Sequence, residues 1–196
     1  IFGKTIIKIL NKYPDWCANV IGDEPREEFN FNHKNLNMLG FKKHNEVLSN
    51  FEKTSIAVVC SRWNEPFGRT SLEASSRGCG VIISNRGGLP ETITNGIILK
   101  NLNSKSLFFE IENLIKNKNK LKKLQVDSIK NFILDDNFIS KKIDHYRIHN
   151  LSFKINFNKD KNLSNLKILH VTNFNERHNG RLFYNSGRRI NNGFIR

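Results

Sequence analysis

The segment from Ile56 to Glu91 limits the folds open to this chain more than any other part, because strand and helix patterns alternate there around glycine turns. The patterns follow in the order Ile56–Ser61 (strand), Thr70–Arg77 (helix) and Val81–Ser84 (strand). Gly68 precedes the helix, and Gly87-Gly88 follows the second strand. Short, almost wholly apolar strands in this order are typical of a parallel sheet that is covered by helices on both faces.

The same alternation continues on both sides of this segment. Hydrophobic periodicity predicts further short strands at Trp16–Ile21, Asn35–Phe41 and Ile97–Leu99. It predicts helices at Ile1–Tyr13, His44–Phe51, Ser104–Lys116, Leu121–Ile133 and Asn137–Tyr146. The polar stretch 24–34 is predicted to be a loop, and the charge run Lys116–Lys123 a solvated helix junction. The fold class is therefore α/β, a Rossmann-like parallel sheet with helices on both faces.

The sequence divides into three regions. Residues 1–147 are predicted to form one domain, and residues 148–165, rich in Asn, Lys and Ser, a linker. A new apolar run, LKILHVTNF at 166–174, predicts that residues 166–196 are the truncated start of a second α/β domain, with a fraying extension as the alternative. Because the chain begins without Met inside a helical pattern, we expect the first domain to be truncated at its amino end.

The net charge of +14 leaves two interpretations, a basic nucleic-acid or membrane-surface binder and a Lys- and Asn-rich solvated surface. The lysines are spread along the chain, and no arginine–aromatic stripe or zinc-finger spacing accompanies them, which favours the second. Cys17, Cys60 and Cys79 form an odd set without a CxxC spacing, so a reducing cytoplasm is the expected location. No apolar run approaches the ~18–20 residues of a membrane span.

Two carboxylates bracket the glycine turn of the central segment. Glu65 lies on the loop and Glu73, eight residues later, one turn into the helix. Gly68 allows a close backbone approach, and the helix N-terminus offers free N–H groups and a positive dipole end to a diphosphate. Arg69 adds a bidentate hydrogen-bond donor there. Since a carboxylate accepts hydrogen bonds from a vicinal diol, a sugar or ribose is the natural partner of the two acids.

Each of these residues also has a purely structural interpretation. Thr70-x-x-Glu73 fits a capping box, in which Glu73 only satisfies backbone N–H groups. Glu65 could be a solvent-facing loop acid, and Arg69 could pair with Glu65 or Glu73. Gly87-Gly88 could be an ordinary strand-to-helix turn, followed by Pro90-Glu91 as a first helical turn.

The combined pattern resembles a known family. Glu65-Pro-Phe-Gly-Arg-Thr-x-Leu-Glu73-Ala, followed by Gly78, a strand and Gly87-Gly-x-Pro-Glu91, resembles the donor-binding domain of retaining GT-B glycosyltransferases. The nearest group is glycosyltransferase family 4, within glycosyl transferases group 1. Val20-Ile-Gly-Asp23 resembles the family's strand and Gly-Asp turn, and Leu39-Gly40-Phe41 the strand end beside the nucleotide base. The resemblance covers roughly residues 1–147, with Cys60 as a departure from the usual proline.

The resemblance implies a nucleotide-diphosphate sugar as substrate and transfer of the sugar with retention of configuration. It implies that Glu73 holds the ribose hydroxyls and that Glu65, the catalytic position, contacts the transferred sugar. The further residues implied to bind the nucleotide sugar are Gly22, Leu39, Gly40, Phe41, Phe67, Gly68, Arg69 and Thr70. No cofactor or metal is expected, and His33, His44, His145, His149, His170 and His178 are interpreted as non-ligands.

The resemblance also implies partners. The acceptor would be a glycan or a lipid-linked molecule in polysaccharide or cell-envelope synthesis, on the cytoplasmic side, with peripheral membrane association compatible with the basic charge. The acceptor-binding domain would precede Ile1 in a longer protein, so we expect the 196-residue chain alone to have little transferase activity. The second domain would be a further glycosyltransferase-like one. A nucleotide-sugar epimerase of GT-B architecture and a basic nucleic-acid-binding module, with no enzymatic activity, are the alternatives.

Overall fold

A computed structural model describes residues 1–22 and 31–150 of the 196-residue chain. Its strands are β1 (Ala18–Ile21), β2 (Leu36–Gly40), β3 (Ile56–Val59), β4 (Gly80–Ser84) and β5 (Ile97–Leu99). Its helices are α1 (Phe2–Lys12), α2 (His44–Glu52), α3 (Arg69–Ser76), α4 (Ser104–Lys116), α5 (Lys118–Lys130) and α6 (Asp136–Asn150), with a 3₁₀ helix at Leu89–Thr92. A first compact unit spans Ile1–Tyr146.

The strand pairs among the described residues are all parallel, which confirms the predicted α/β class. β1 pairs with β2, and β3, β4 and β5 form a second sheet with β4 in the centre. Within the described residues no ladder joins the two sheets. The strand predicted at Ile56–Ser61 ends earlier, at Val59, because Cys60 and Ser61 already belong to the loop that leads to α3.

The core lies on both faces of β4, whose five residues are all buried. Ile82 faces one cluster, formed with the apolar sides of α1 and α4. Val81 and Ile83 face the other, with Ala74 of α3 and Leu89 of the 3₁₀ helix. Because successive side chains of a strand point to opposite faces, a continuous apolar run supplies both clusters.

α1 and α4 are joined at their edge by one carboxylate. Glu112 of α4 accepts a hydrogen bond from the Tyr13 hydroxyl at 2.8 Å and pairs with Lys12 at 2.6 Å and Lys116 at 3.4 Å. The hydrogen bonds from Lys12 and Tyr13 lower the pKa of Glu112 to about 2. This carboxylate is therefore ionised under all ordinary conditions, and its role is to hold two helices together.

The helix boundaries differ from the predicted ones mainly after α4. α5 begins at Lys118 rather than Leu121, because the Asn117 side chain caps it by accepting a hydrogen bond from Lys120 N at 2.9 Å. The charge run Lys116–Lys123 is the predicted helix junction. α6 continues to Asn150, into the first residues of the predicted linker.

Several predictions concern residues that lie outside the described part of the chain. These are Asp23 of the Gly-Asp turn, most of the predicted loop 24–34, the linker beyond Asn150 and the second domain at 166–196. Among the described helices none is long and apolar enough to cross a membrane.

Candidate functional site

The loop after β3 and the glycine loop after β4 are bound to each other through their backbones. Gly88 N donates to Glu65 O at 2.8 Å, and Glu65 and Gly87 form an isolated parallel bridge. The buried Ser84 hydroxyl donates to Ser61 O at 2.8 Å. These bonds fix the loop that carries Glu65 at the carboxyl ends of two adjacent parallel strands.

The two glycines allow this close approach. Gly87 has φ +57°, a conformation that residues with a side chain rarely adopt, and a Cβ there would collide with the Glu65 backbone. A Cβ on Gly88 would lie 2.8 Å from Pro66 O. The glycine pair thus supports the backbone of the Glu65 loop. This role is more specific than that of an ordinary strand-to-helix turn, the alternative considered for Gly87-Gly88.

The N-terminus of α3 follows directly after this loop and is open to a ligand. Gly68 occupies the N-cap position with φ +92°, and its carbonyl accepts from Ser71 N at 3.2 Å. Within the described part of the chain, the N–H groups of Gly68, Arg69 and Thr70 have no hydrogen-bond acceptor. Three adjacent N–H groups at the positive end of a helix are a suitable site for an anion.

The capping box considered for Thr70 and Glu73 is not formed, and that alternative is wrong. The helix begins one residue earlier than predicted, at Arg69, with Gly68 as its cap and no side-chain capping bond. Glu73 Oε1 instead accepts from Arg69 Nη2 at 3.0 Å and from Arg69 Nε at 3.3 Å. It also contacts His44 Nε2 at 3.0 Å. Of the alternatives for Arg69, pairing with Glu73 is therefore the one observed.

Glu65 is held by uncharged groups. Its Oε1 accepts from the Ser61 hydroxyl at 2.5 Å and from the Trp63 indole Nε1 at 2.9 Å. The side-chain hydrogen bonds of Glu65 and Glu73 with other described residues all use Oε1, so Oε2 of each carboxylate is left to accept from a ligand. The two acids are thus oriented by the protein and each retains a free oxygen.

The carboxyl ends of β1 and β2 form the other side of the site. Gly22 N donates to Gly40 O at 3.0 Å, so the two predicted positions are adjacent. Phe41 follows with 77% of its surface exposed, and Leu39 is half-buried. The contact between His44, the first residue of α2, and Glu73 brings this strand end towards α3.

Three residues of this arrangement were absent from the predicted site, namely His44, Ser61 and Trp63. Ser61 and Trp63 lie four and two residues before Glu65, on the same loop, and this proximity in sequence was an available signal. His44 lies 29 residues before Glu73, and no local pattern connects them. Within the described residues no cluster of three or more metal-ligating side chains occurs.

Cys60, the residue that departs from the family pattern, is an unreactive thiol. Burial raises the pKa of Cys60 to about 11 and that of Cys79 to about 12. Both thiols therefore remain protonated at neutral pH, and neither is a nucleophile or an anion beside the site.

Comparison with known proteins identifies the family. The family model described as glycosyl transferases group 1 matches residues 5–132. The chain belongs to glycosyl transferases group 1. The match includes Glu65, Glu73 and every other described residue of the site.

Among similar proteins, spore coat protein SA of Bacillus subtilis is 32% identical over 101 residues, which cover 45% of this chain and 27% of that protein. The C-terminal domain of the group 1 glycosyl transferase LpcC from Francisella tularensis is 28% identical, with a TM-score of 0.56 and coverage of 66% of this chain and 74% of that domain. Anabaena HepE, solved in complex with UDP and glucose, shares the fold at 20% identity, with a TM-score of 0.59 and coverage of 76% and 44%. The chain thus spans about a quarter of the first relative and less than half of HepE.

Proposed function

We propose that the unit Ile1–Tyr146 binds a nucleotide-diphosphate sugar and supplies this half of the active site of a retaining glycosyltransferase. The observation that carries the proposal is the arrangement at α3. Free N–H groups of Gly68, Arg69 and Thr70 lie between two carboxylates, Glu65 and Glu73, each of which is fixed through Oε1 and open at Oε2. A diphosphate flanked by two polyols, a ribose and a sugar, has matching chemistry.

In this proposal the diphosphate lies at the N-terminus of α3. The N–H groups and the helix dipole stabilise its negative charge, and they stabilise the additional charge that develops on the leaving diphosphate during transfer. The Arg69 guanidinium, 70% exposed and paired with Glu73, adds positive charge at the same end. Gly68 lets the diphosphate approach the backbone, since glycine has no side chain of its own.

The two acids bind different parts of the substrate. Glu73 accepts hydrogen bonds from the ribose hydroxyls, and Glu65 accepts from hydroxyls of the transferred sugar, with Phe67 on the same loop. The nucleotide base lies along Leu39, Gly40 and Phe41, where the exposed Phe41 ring provides a stacking surface. Gly22 contributes the backbone that is bonded to Gly40.

The finer assignments are part of the same proposal. They are membership of glycosyltransferase family 4, a metal-independent reaction, a glycan or lipid-linked acceptor, polysaccharide or envelope synthesis and a cytoplasmic location. HepE was solved with UDP and with UDP-glucose, which makes uridine nucleotides the first to test here. Acceptor binding belongs to regions outside this unit, so the 196-residue chain alone is expected to transfer little sugar.

The test is isothermal titration calorimetry of the 196-residue chain with UDP, GDP and ADP, and in parallel with a single-stranded DNA oligonucleotide. We expect one nucleoside diphosphate to bind in preference to the other two, with at most a modest loss of affinity when salt is raised. Binding of DNA with a steep salt dependence, together with no binding of any nucleoside diphosphate, would refute the proposal in favour of the nucleic-acid module. A normal turnover rate by the isolated chain would refute its expected inactivity.

A further inference from the structure

Trp63 combines an exposed ring with an indole N–H that has a defined partner. Its side chain lies on the loop after β3 and is 61% exposed. Its indole N–H nevertheless has a fixed partner, because Nε1 donates to Glu65 Oε1 at 2.9 Å. The backbone of this loop is in turn bound to the glycine loop at Gly88. The ring is thus held in one orientation while much of its apolar surface stays in water.

An exposed, oriented indole is suited to a particular kind of ligand. Leaving a large aromatic surface in water is unfavourable, and the π faces are electron-rich. A pyranose has one face made largely of C–H groups, which are apolar and slightly positive, and hydroxyls around its edge. It can therefore pack its C–H face on an indole while a neighbouring carboxylate accepts from the hydroxyls.

The structure offers these two elements side by side. Glu65 Oε1 is occupied by Ser61 and Trp63, and Oε2 is open. Trp63 itself provides the aromatic face. A ligand that used only the carboxylate would need no aromatic ring beside it, and a nucleotide base would find its stacking surface at Phe41, on another loop. The pairing favours a sugar ring.

We propose that Trp63 forms the aromatic side of the subsite for the transferred sugar, where the C–H face of a pyranose ring packs on the indole. The inference rests on the proposed function, because Glu65 is taken to contact the transferred sugar. It adds a specificity residue on this loop, acting through direct contact with the substrate.

The first experiment measures the affinities of UDP and UDP-glucose for the 196-residue chain by calorimetry, and takes their ratio. Trp63→Leu keeps apolar volume but removes the aromatic face, and should lower the preference for UDP-glucose over UDP by about three- to tenfold. Trp63→Phe keeps an aromatic face and loses the N–H, and should change the preference by less than about twofold. The affinity for UDP itself should not change in either variant.

Ser61→Ala is the matched control, since it removes one hydrogen bond to Glu65 and leaves the ring in place. If it lowers the UDP-glucose preference as much as Trp63→Leu does, the tryptophan acts only by orienting Glu65 and the stacking proposal is wrong. The same conclusion follows if Trp63→Phe is as impaired as Trp63→Leu.

The second experiment uses the intrinsic fluorescence of the two tryptophans, Trp16 and Trp63. UDP-glucose should change the emission, UDP should change it much less, and the difference should vanish in Trp63→Phe. Binding of both compounds with no contribution from Trp63 would overturn the stacking proposal and leave the proposed function intact. An equal response to free glucose without nucleotide would mean that the Trp63 ring contacts a sugar other than the transferred one, and this would overturn the stacking proposal. Failure of both UDP and UDP-glucose to bind would overturn the proposed function as well.

Discussion

Glu65 and Glu73 flank the same helix N-terminus, but different kinds of group hold them. Glu65 accepts from a hydroxyl and an indole, both neutral, on a loop that is tied to a second loop. Glu73 lies on a helix and accepts from Arg69, with His44 as its other partner. The position of Glu65 therefore depends on loop packing, whereas that of Glu73 depends on charge. This difference predicts that the two acids respond to different perturbations.

A third carboxylate, that of Glu112, also has an oxygen without a contact but lies outside the site. Glu112 also takes its three contacts through Oε1, but it lies between α1 and α4, and two of its partners, Lys12 and Tyr13, are at the C-terminal end of α1. A carboxylate with one contacted and one free oxygen is therefore not a ligand site by itself. What distinguishes Glu65 and Glu73 is their common position beside the free N–H groups of Gly68, Arg69 and Thr70.

The largest effect is expected from Gly87→Ala, which disrupts the support of Glu65. The new Cβ combines an unfavourable φ with a collision against the Glu65 backbone, and should cost about 3 kcal/mol of unfolding free energy. Gly40→Ala is the matched control, because Gly40 has φ +62° and open space around it, so it should cost only about 1–2 kcal/mol. Urea denaturation measures both. Equal losses would mean that the contact between the two loops contributes nothing.

The second prediction separates the roles of the two acids. Glu73→Gln should weaken UDP binding by about tenfold, since the hydrogen bonds from the ribose then go to a neutral amide oxygen in place of a charged carboxylate. Glu65→Gln should leave UDP affinity nearly unchanged and weaken UDP-glucose binding. Glu91→Gln, at an exposed position of the 3₁₀ helix, controls for loss of a nearby negative charge. Unchanged UDP affinity in Glu73→Gln would restrict Glu73 to orienting Arg69 and His44.

These sites show how far the sequence alone could lead. Strand and helix order followed from hydrophobic periodicity, because burial on both faces of β4 requires the apolar run at 80–84. The spacing of Glu65, Gly68 and Glu73 indicated the helix N-terminus and its acids. Pairing of Arg69 with an acid was also expected, but the contacts between residues distant in sequence were not predictable in the same way. His44 reaches Glu73 only because α2 and α3 pack together, and the closeness of Gly87 to Glu65 arises from strand pairing between β3 and β4.

The smallest effect is expected at Glu112, which tests whether a carboxylate held by charge outside the site contributes only to stability. Its pKa is lowered to about 2, first by the hydrogen bond from Lys12, below the ordinary value of 4.5. A depressed folded-state pKa stabilises the protein fully above the unfolded value, and this contribution decreases as pH falls from 4.5 towards 2. Glu112→Gln should thus lower the melting temperature at neutral pH. The melting temperature of this variant should also decrease less than that of the unmodified chain as pH falls from 4.5 towards 2. UDP affinity at neutral pH should stay unchanged, and a weaker affinity would show that the α1–α4 interface is coupled to the site.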